Sequence, residues 1–130
     1  MSIISLMPLK KETQIEHQIS DAVMNFEKEY MGRGPLETRT FVVENMIMVR
    51  LKGVLTKAEL QLANTEHTER GRKLIKEMRI ELIEKGRPLL DAVVESITGQ
   101  KVISLHTDIS TVTGERVILF TLANEPIERT

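Results

Sequence analysis

Apolar positions change period along this chain, from helical spacing to strand alternation and back. From Glu12 to Tyr30, Ile15, Ile19, Ala22, Val23 and Phe26 recur at steps of three and four with charged residues between them, the spacing of an amphipathic helix. Gly32-Arg33-Gly34-Pro35 ends it, because glycine takes the left-handed position after a helix and proline cannot continue one. Alternation then takes over. Thr40, Val42 and Glu44 oppose Phe41 and Val43, and Ile47, Val49 and Leu51 oppose Met48, Arg50 and Lys52. This predicts strands over Thr38–Glu44 and Met46–Gly53, joined at Glu44-Asn45, with Asn45 taking the positive φ of a tight hairpin.

Thr56 followed by Glu59 is a capping-box pair and opens a short helix to about Asn64. A long helical stretch begins near Thr68, with Gly71, Leu74, Ile75, Met78, Leu82 and Leu89 on its expected apolar face. Arg87-Pro88 is expected to kink or split it, since proline removes a helix hydrogen bond and restricts the residue before it. Pro88 could then open a new helix to Ile97, ended by Gly99. A second strand pair is expected over Lys101–Asp108 and Glu115–Ala123. Its first strand should place Val102, Ser104, His106 and Asp108 on one face, with Ile103, Leu105 and Thr107 on the other.

Both halves thus read helix, glycine stop, strand, turn, strand. Asp21-Ala22-Val23 corresponds to Asp91-Ala92-Val93, and Met48-Val49-Arg50-Leu51 to Val117-Ile118-Leu119-Phe120. The expected fold is α+β: two αββ units forming a mixed or antiparallel sheet of about four strands covered by helices, with Thr56–Gly86 inserted between the units. Chance similarity of two αββ patterns is the alternative. The domain should span residues 11–123, between a flexible tail at 1–10 and another at 124–130.

The chain has 130 residues, enough for one core, with 41% hydrophobic and 28% charged residues. It has no cysteine, so disulfide and thiolate chemistry are excluded, which suits a reducing, cytoplasmic setting. A net charge of −1 and 3% aromatic residues argue against a nucleic-acid partner, which would need a basic face and stacking platforms. No apolar run approaches the ~20 residues that span a bilayer, so direct membrane insertion is not expected.

The candidate chemistry is thin. His106, Asp108 and Glu115 form the best polar cluster, since a histidine beside carboxylates can bind metal or move protons. Metal sites need three or four ligands in fixed geometry, and neither His17 nor His67 has the spacing to complete one. Contact or local structure is the plainer role for the cluster. Gly32, Arg33, Gly34 and Pro35 could cradle an anion, but phosphate loops precede helices and this one follows a helix. The charges from Glu69 to Lys85, Arg79 among them, read as a solvated helix face. Met46 and Met48 read as core or interface filling. No catalytic residue, metal or cofactor is expected.

Three segments carry a resemblance. They are Phe26-Glu27-Lys28-Glu29-Tyr30-Met31-Gly32-Arg33-Gly34-Pro35, then Met48-Val49-Arg50-Leu51-Lys52-Gly53-Val54-Leu55-Thr56, then Ser104-Leu105-His106-Thr107-Asp108-Ile109-Ser110-Thr111 with Thr113-Gly114-Glu115-Arg116-Val117. In order and separation they resemble the MpsC family over roughly Thr13 to Leu122. That family is associated with bacterial gene clusters for cation-linked membrane-potential generation and inorganic carbon uptake. The resemblance implies a non-catalytic accessory role beside membrane transport subunits, through which the chain would reach the membrane periphery. It implies no reaction. The alternative is a small-molecule or anion binder, even a weak enzyme, using His106, Asp108 and Arg116. An RNA-binding module ranks last, lacking a GXXG loop and a basic face. A homodimer or larger assembly is expected, because the long apolar stripe and the open sheet edges need cover.

Overall fold

The computed structural model describes residues 11–64 and 68–127. The expected tail at 1–10, residues 128–130 and His67 lie outside them. The elements are α1 (Lys11–Met31), β1 (Glu37–Val43), β2 (Met46–Lys52), α2 (Lys57–Asn64), α3 (Thr68–Thr98), β3 (Val102–Ile109) and β4 (Arg116–Leu122). The four strands form one antiparallel sheet in the order β1-β2-β4-β3. Each half therefore supplies a helix and an outer and inner strand, and the two inner strands meet at the centre. Val49 pairs with Ile118, the position that the internal repeat makes its equivalent. A pseudo-two-fold axis thus passes between these residues, as two αββ units sharing a sheet require.

The helices cover one face only. Ile15, Ile19, Val23 and Phe26 of α1 and Ile75, Ile83, Leu90 and Val94 of α3 close over Val42, Ile47, Val49, Leu51, Ile118, Phe120 and Leu122. Strand alternation puts the next residues on the opposite face, without a covering layer. Glycine ends the first helix of each half as expected: Gly32 follows α1 at φ +84° and Gly99 follows α3 at φ +70°, a region that L side chains avoid. Each outer strand also has a backbone N–H held by a helix carboxylate. Val42 donates to Glu16 Oε2 at 2.9 Å, and Val102 donates to Glu95 Oε2 at 2.8 Å.

Several local expectations are corrected. Positive φ falls on Glu44 (+56°), not Asn45. Asn45 is instead pinned to β4, its side-chain amide donating to the Leu122 carbonyl at 3.0 Å and its own carbonyl accepting from the Leu122 amide at 2.8 Å. A register shift between Val102 and Ser104 leaves Ile103 unpaired and exposed, which turns Val102 inward and breaks the expected alternation. Pro88 does not split α3, which runs unbroken from Thr68 to Thr98. Core packing on both sides of the proline, at Ile83 and Leu90, outweighs one lost hydrogen bond. The insertion at Thr56–Gly86 is therefore α2 plus the first part of that same helix. Beyond the last strand, Pro126 is buried and Ile127 packs on the core.

The buried face of α3 also differs from the expected one. Gly71, Ile75, Arg79, Ile83, Gly86, Leu90 and Val94 point inward, whereas Leu74, Met78 and Leu89 are exposed. The helix carries two apolar stripes, and the one facing the core contains a charge. That charge made it read as polar.

Candidate functional site

The densest chemistry lies between the layers. Glu27 from α1, Glu59 from α2, Arg79 from α3 and Arg116 from β4 are all buried, and their formal charges cancel. Glu59 begins as the capping-box residue: the Thr56 amide donates to its Oε1 at 2.9 Å, and its own amide donates to Thr56 Oγ1 at 3.1 Å. The same carboxylate accepts both Nε and Nη2 of Arg79 at 2.7 Å, a bidentate fork. Arg79 Nη2 also donates to the Val54 carbonyl at 2.9 Å. One guanidinium thus ties the β2–α2 connection and the α2 start to α3.

The other half is looser. Arg116 Nη1 donates to Glu27 Oε1 at 3.4 Å, and its Nε donates to Thr107 Oγ1 at 3.2 Å. Glu27 Oε2 and Arg79 Nη1 face each other at 3.7 Å with no hydrogen bond between them. The electrostatics follow this asymmetry. Burial raises the Glu27 carboxyl above its ordinary value, although Arg116 and Arg79 pull it down. Burial also pushes Glu59 up, but the Arg79 and Thr56 hydrogen bonds prevail and hold it below the usual range. Burial lowers the Arg116 guanidinium, with Glu27 opposing. Opposite charges set against one another inside the protein suit this cluster to holding three helices onto the sheet, although Glu27 Oε2 and Arg79 Nη1 have no hydrogen-bond partner.

The residues singled out from the sequence fall in separate places: the Gly32–Pro35 loop lies by the helices, His106, Asp108 and Glu115 lie on the side of the open face, and Arg116 is buried. Arg33 Nη1 donates to the Leu55 carbonyl at 2.9 Å, so the Gly32–Pro35 loop ties the end of α1 to the connection after β2. His106 and Asp108 lie on the open face, whereas Arg116 points into the helical layer and cannot join them. Asp108 pairs with Lys76 Nζ at 3.4 Å and Glu115 with Arg50 Nη2 at 2.9 Å. The Arg50 hydrogen bond holds the Glu115 carboxyl below its usual range. Both carboxylates have cationic partners other than His106. Beside the β3–β4 connection, Lys76, Asp108, Ser110, Thr113 and Glu115 line a hollow of about 580 Å³. Among the described residues, no three His, Cys, Asp or Glu side chains gather as a metal site requires, and no helix is long and apolar enough to cross a membrane.

The buried quartet escaped sequence reading, yet each member occupies a core position of its pattern. Glu27 follows Val23 by four, and Arg79 lies midway between Ile75 and Ile83. Arg116 begins the alternation continued by Ile118, Phe120 and Leu122. A charge in register with core residues was the available signal.

Fold and site together define a small two-layer α+β protein, made of two αββ halves and locked by an internal ion-pair network. The chain belongs to the MpsC family, described as "Na+-translocating membrane potential-generating system", whose model matches residues 11–124. It is 42% identical over 116 residues to the uncharacterized protein YbcI of Bacillus subtilis (strain 168), covering 89% of this chain and 91% of that one. It is 32% identical over 97 residues to the uncharacterized protein YrhF of the same organism, covering 72% and 75% respectively. No solved structure matches.

Proposed function

We propose that this chain is a non-catalytic accessory or regulatory subunit of a bacterial cation-linked membrane-potential or inorganic-carbon transport system, held at the membrane periphery by protein contacts. The observation that carries this reading is the family match over residues 11–124. The internal pairing of the buried charges supports it, because they serve the fold and leave the outer surfaces for contact. The test is cross-linking of a tagged chain in cells that carry it, followed by isolation of membranes. The expected result is recovery with an integral-membrane transport subunit, and a lower sodium-dependent membrane potential when the chain is deleted. An unchanged potential together with no membrane-subunit cross-link would overturn the reading.

The hollow beside Asp108 favours a second reading, in which Lys76, Ser110 and Thr113 hold a small polar molecule. A ligand that binds only the folded state raises the melting temperature. A screen of small anions that leaves it unmoved would remove this alternative.

A further inference from the structure

The sheet face turned away from the helices has a charge pattern that complements itself. Across the strands, one row is Phe41, Met48, Leu119 and His106, and the next is Val43, Met46, Thr121 and Ser104. Phe41, Val43 and Met48 are 41%, 45% and 38% exposed, more apolar surface than a solvated sheet face ordinarily presents. The row on the other side is Arg39, Arg50, Val117 and Asp108, with Lys52 and Glu115 beyond it. Glu37 on β1 lies 3.9 Å from Arg39 and 3.7 Å from Lys52. The excess charge is thus positive toward β1 and β2 and negative toward β3 and β4, while Arg50 holds Glu115 and Lys76 holds Asp108 within the same copy.

We propose that this open face is a homodimer interface, in which two copies stack sheet on sheet about a two-fold axis parallel to the strands. Such an axis carries β1 over the partner's β3 and β2 over the partner's β4, keeping each row over its own counterpart. Arg39 then faces the partner's Asp108, Met48 faces the partner's Leu119, and Phe41 faces the partner's His106. Every contact occurs twice, as an isologous interface requires. An in-plane axis across the strands would instead set the charged end on the apolar end. Near-parallel stacking is also the ordinary aligned packing of twisted sheets. The outer edges are less available, because Glu16 and Glu95 already occupy backbone N–H groups there. Strands of ~23 Å side by side over ~19 Å give roughly 440 Å² of flat face per copy. The two flat faces together, roughly 880 Å² before side-chain relief is counted, fall below the ~1,200–2,000 Å² of a standard specific interface, which points to a weak dimer.

The experiment is sedimentation of the full chain at about 100 µM, in the range where small interfaces associate. Wild type is expected at twice the 14.8 kDa chain mass. Met48→Lys, Arg39→Glu and Asp108→Arg should each give monomers with unchanged circular dichroism, since all three side chains are exposed. An equimolar mixture of the Arg39→Glu and Asp108→Arg chains should recover the dimer, because each restores the other's pairing. A monomeric wild type would overturn the proposal. So would a dimer that survives Met48→Lys but is lost with Met78→Lys on α3, or a mixture that stays monomeric.

Discussion

Replacing Arg79 with methionine tests the role given to the buried network. The substitution keeps much of the side chain's length and apolar stem, and removes the guanidinium. Glu59 loses a bidentate partner at 2.7 Å, the Val54 carbonyl loses a donor at 2.9 Å, and Glu27 loses a cation at 3.7 Å. Breaking a buried ion pair from one side costs about 3–5 kcal/mol, because the remaining charge is stranded away from water. An orphaned buried carbonyl adds about 1 kcal/mol or more. The expected loss of about 4–6 kcal/mol is a large part of the ~5–15 kcal/mol that holds such a domain together. Urea unfolding followed by circular dichroism measures it as a fall in midpoint at constant slope. The Glu59→Met and Arg79→Met double variant supplies the control, since removing both charges strands neither. It should be more stable than Arg79→Met alone, giving a coupling of more than 1 kcal/mol in the double-mutant cycle. A loss below about 1 kcal/mol for Arg79→Met, or additive single effects, would refute the reasoning.

Other positions give separate checks. At Gly71 an added Cβ would run into the Leu62 carbonyl oxygen, a backbone atom with little room to move. Gly71→Ala should therefore lower stability by about 1–3 kcal/mol despite alanine's better helix propensity, and a higher melting temperature would contradict the close α2–α3 crossing. Pro88 is exposed inside a helix held on both sides. Pro88→Ala restores a backbone donor and should raise stability by about 1–3 kcal/mol; a lower melting temperature would show that the ring itself is needed. For pH, Glu27 is raised above 4.5 on folding, so the unfolded chain releases that proton first and stability falls as pH rises from 4.5 through the raised range. Glu27→Gln should abolish this slope, so wild-type stability relative to the variant should decline as pH rises; an increase would reverse the assignment.

Most of the fold was legible because period and punctuation agreed. Two glycine stops, two alternating strand pairs and the Asp-Ala-Val repeat pointed to paired αββ units, and the Val49–Ile118 pairing bears this out. The capping box was legible because Thr56 and Glu59 are local to one another. The other partner of Glu59 is 20 residues away and that of Glu27 is 89 away, beyond the reach of any local pattern. Arg79 was therefore counted with the exposed charges around it. The same blindness misplaced the core face of α3, since choosing between two apolar stripes needs knowledge of what lies opposite. Arg116 is kept from His106, Asp108 and Glu115 for a geometric reason. Strand neighbours alternate between faces, so Arg116 and Glu115, adjacent in sequence, look into different worlds.

That alternation separates two kinds of work along β4. Arg116 points inward and closes the ion-pair network that holds α1, α2 and α3 to the sheet, while Val117 and Leu119 point outward onto the open face. Changes on the inner side meet groups already desolvated and set against opposite charges, so their effects appear in unfolding free energy. Changes on the outer side meet water in the monomer, where substitutions usually move stability by no more than about 0.5 kcal/mol. In the dimer proposed above, their effects would belong in association, through the apolar rows and the excess charge of opposite sign. The two surfaces can therefore be perturbed independently, although they share one strand. For the accessory role proposed above, this arrangement would let the outer face bind without supplying the cohesion of the domain.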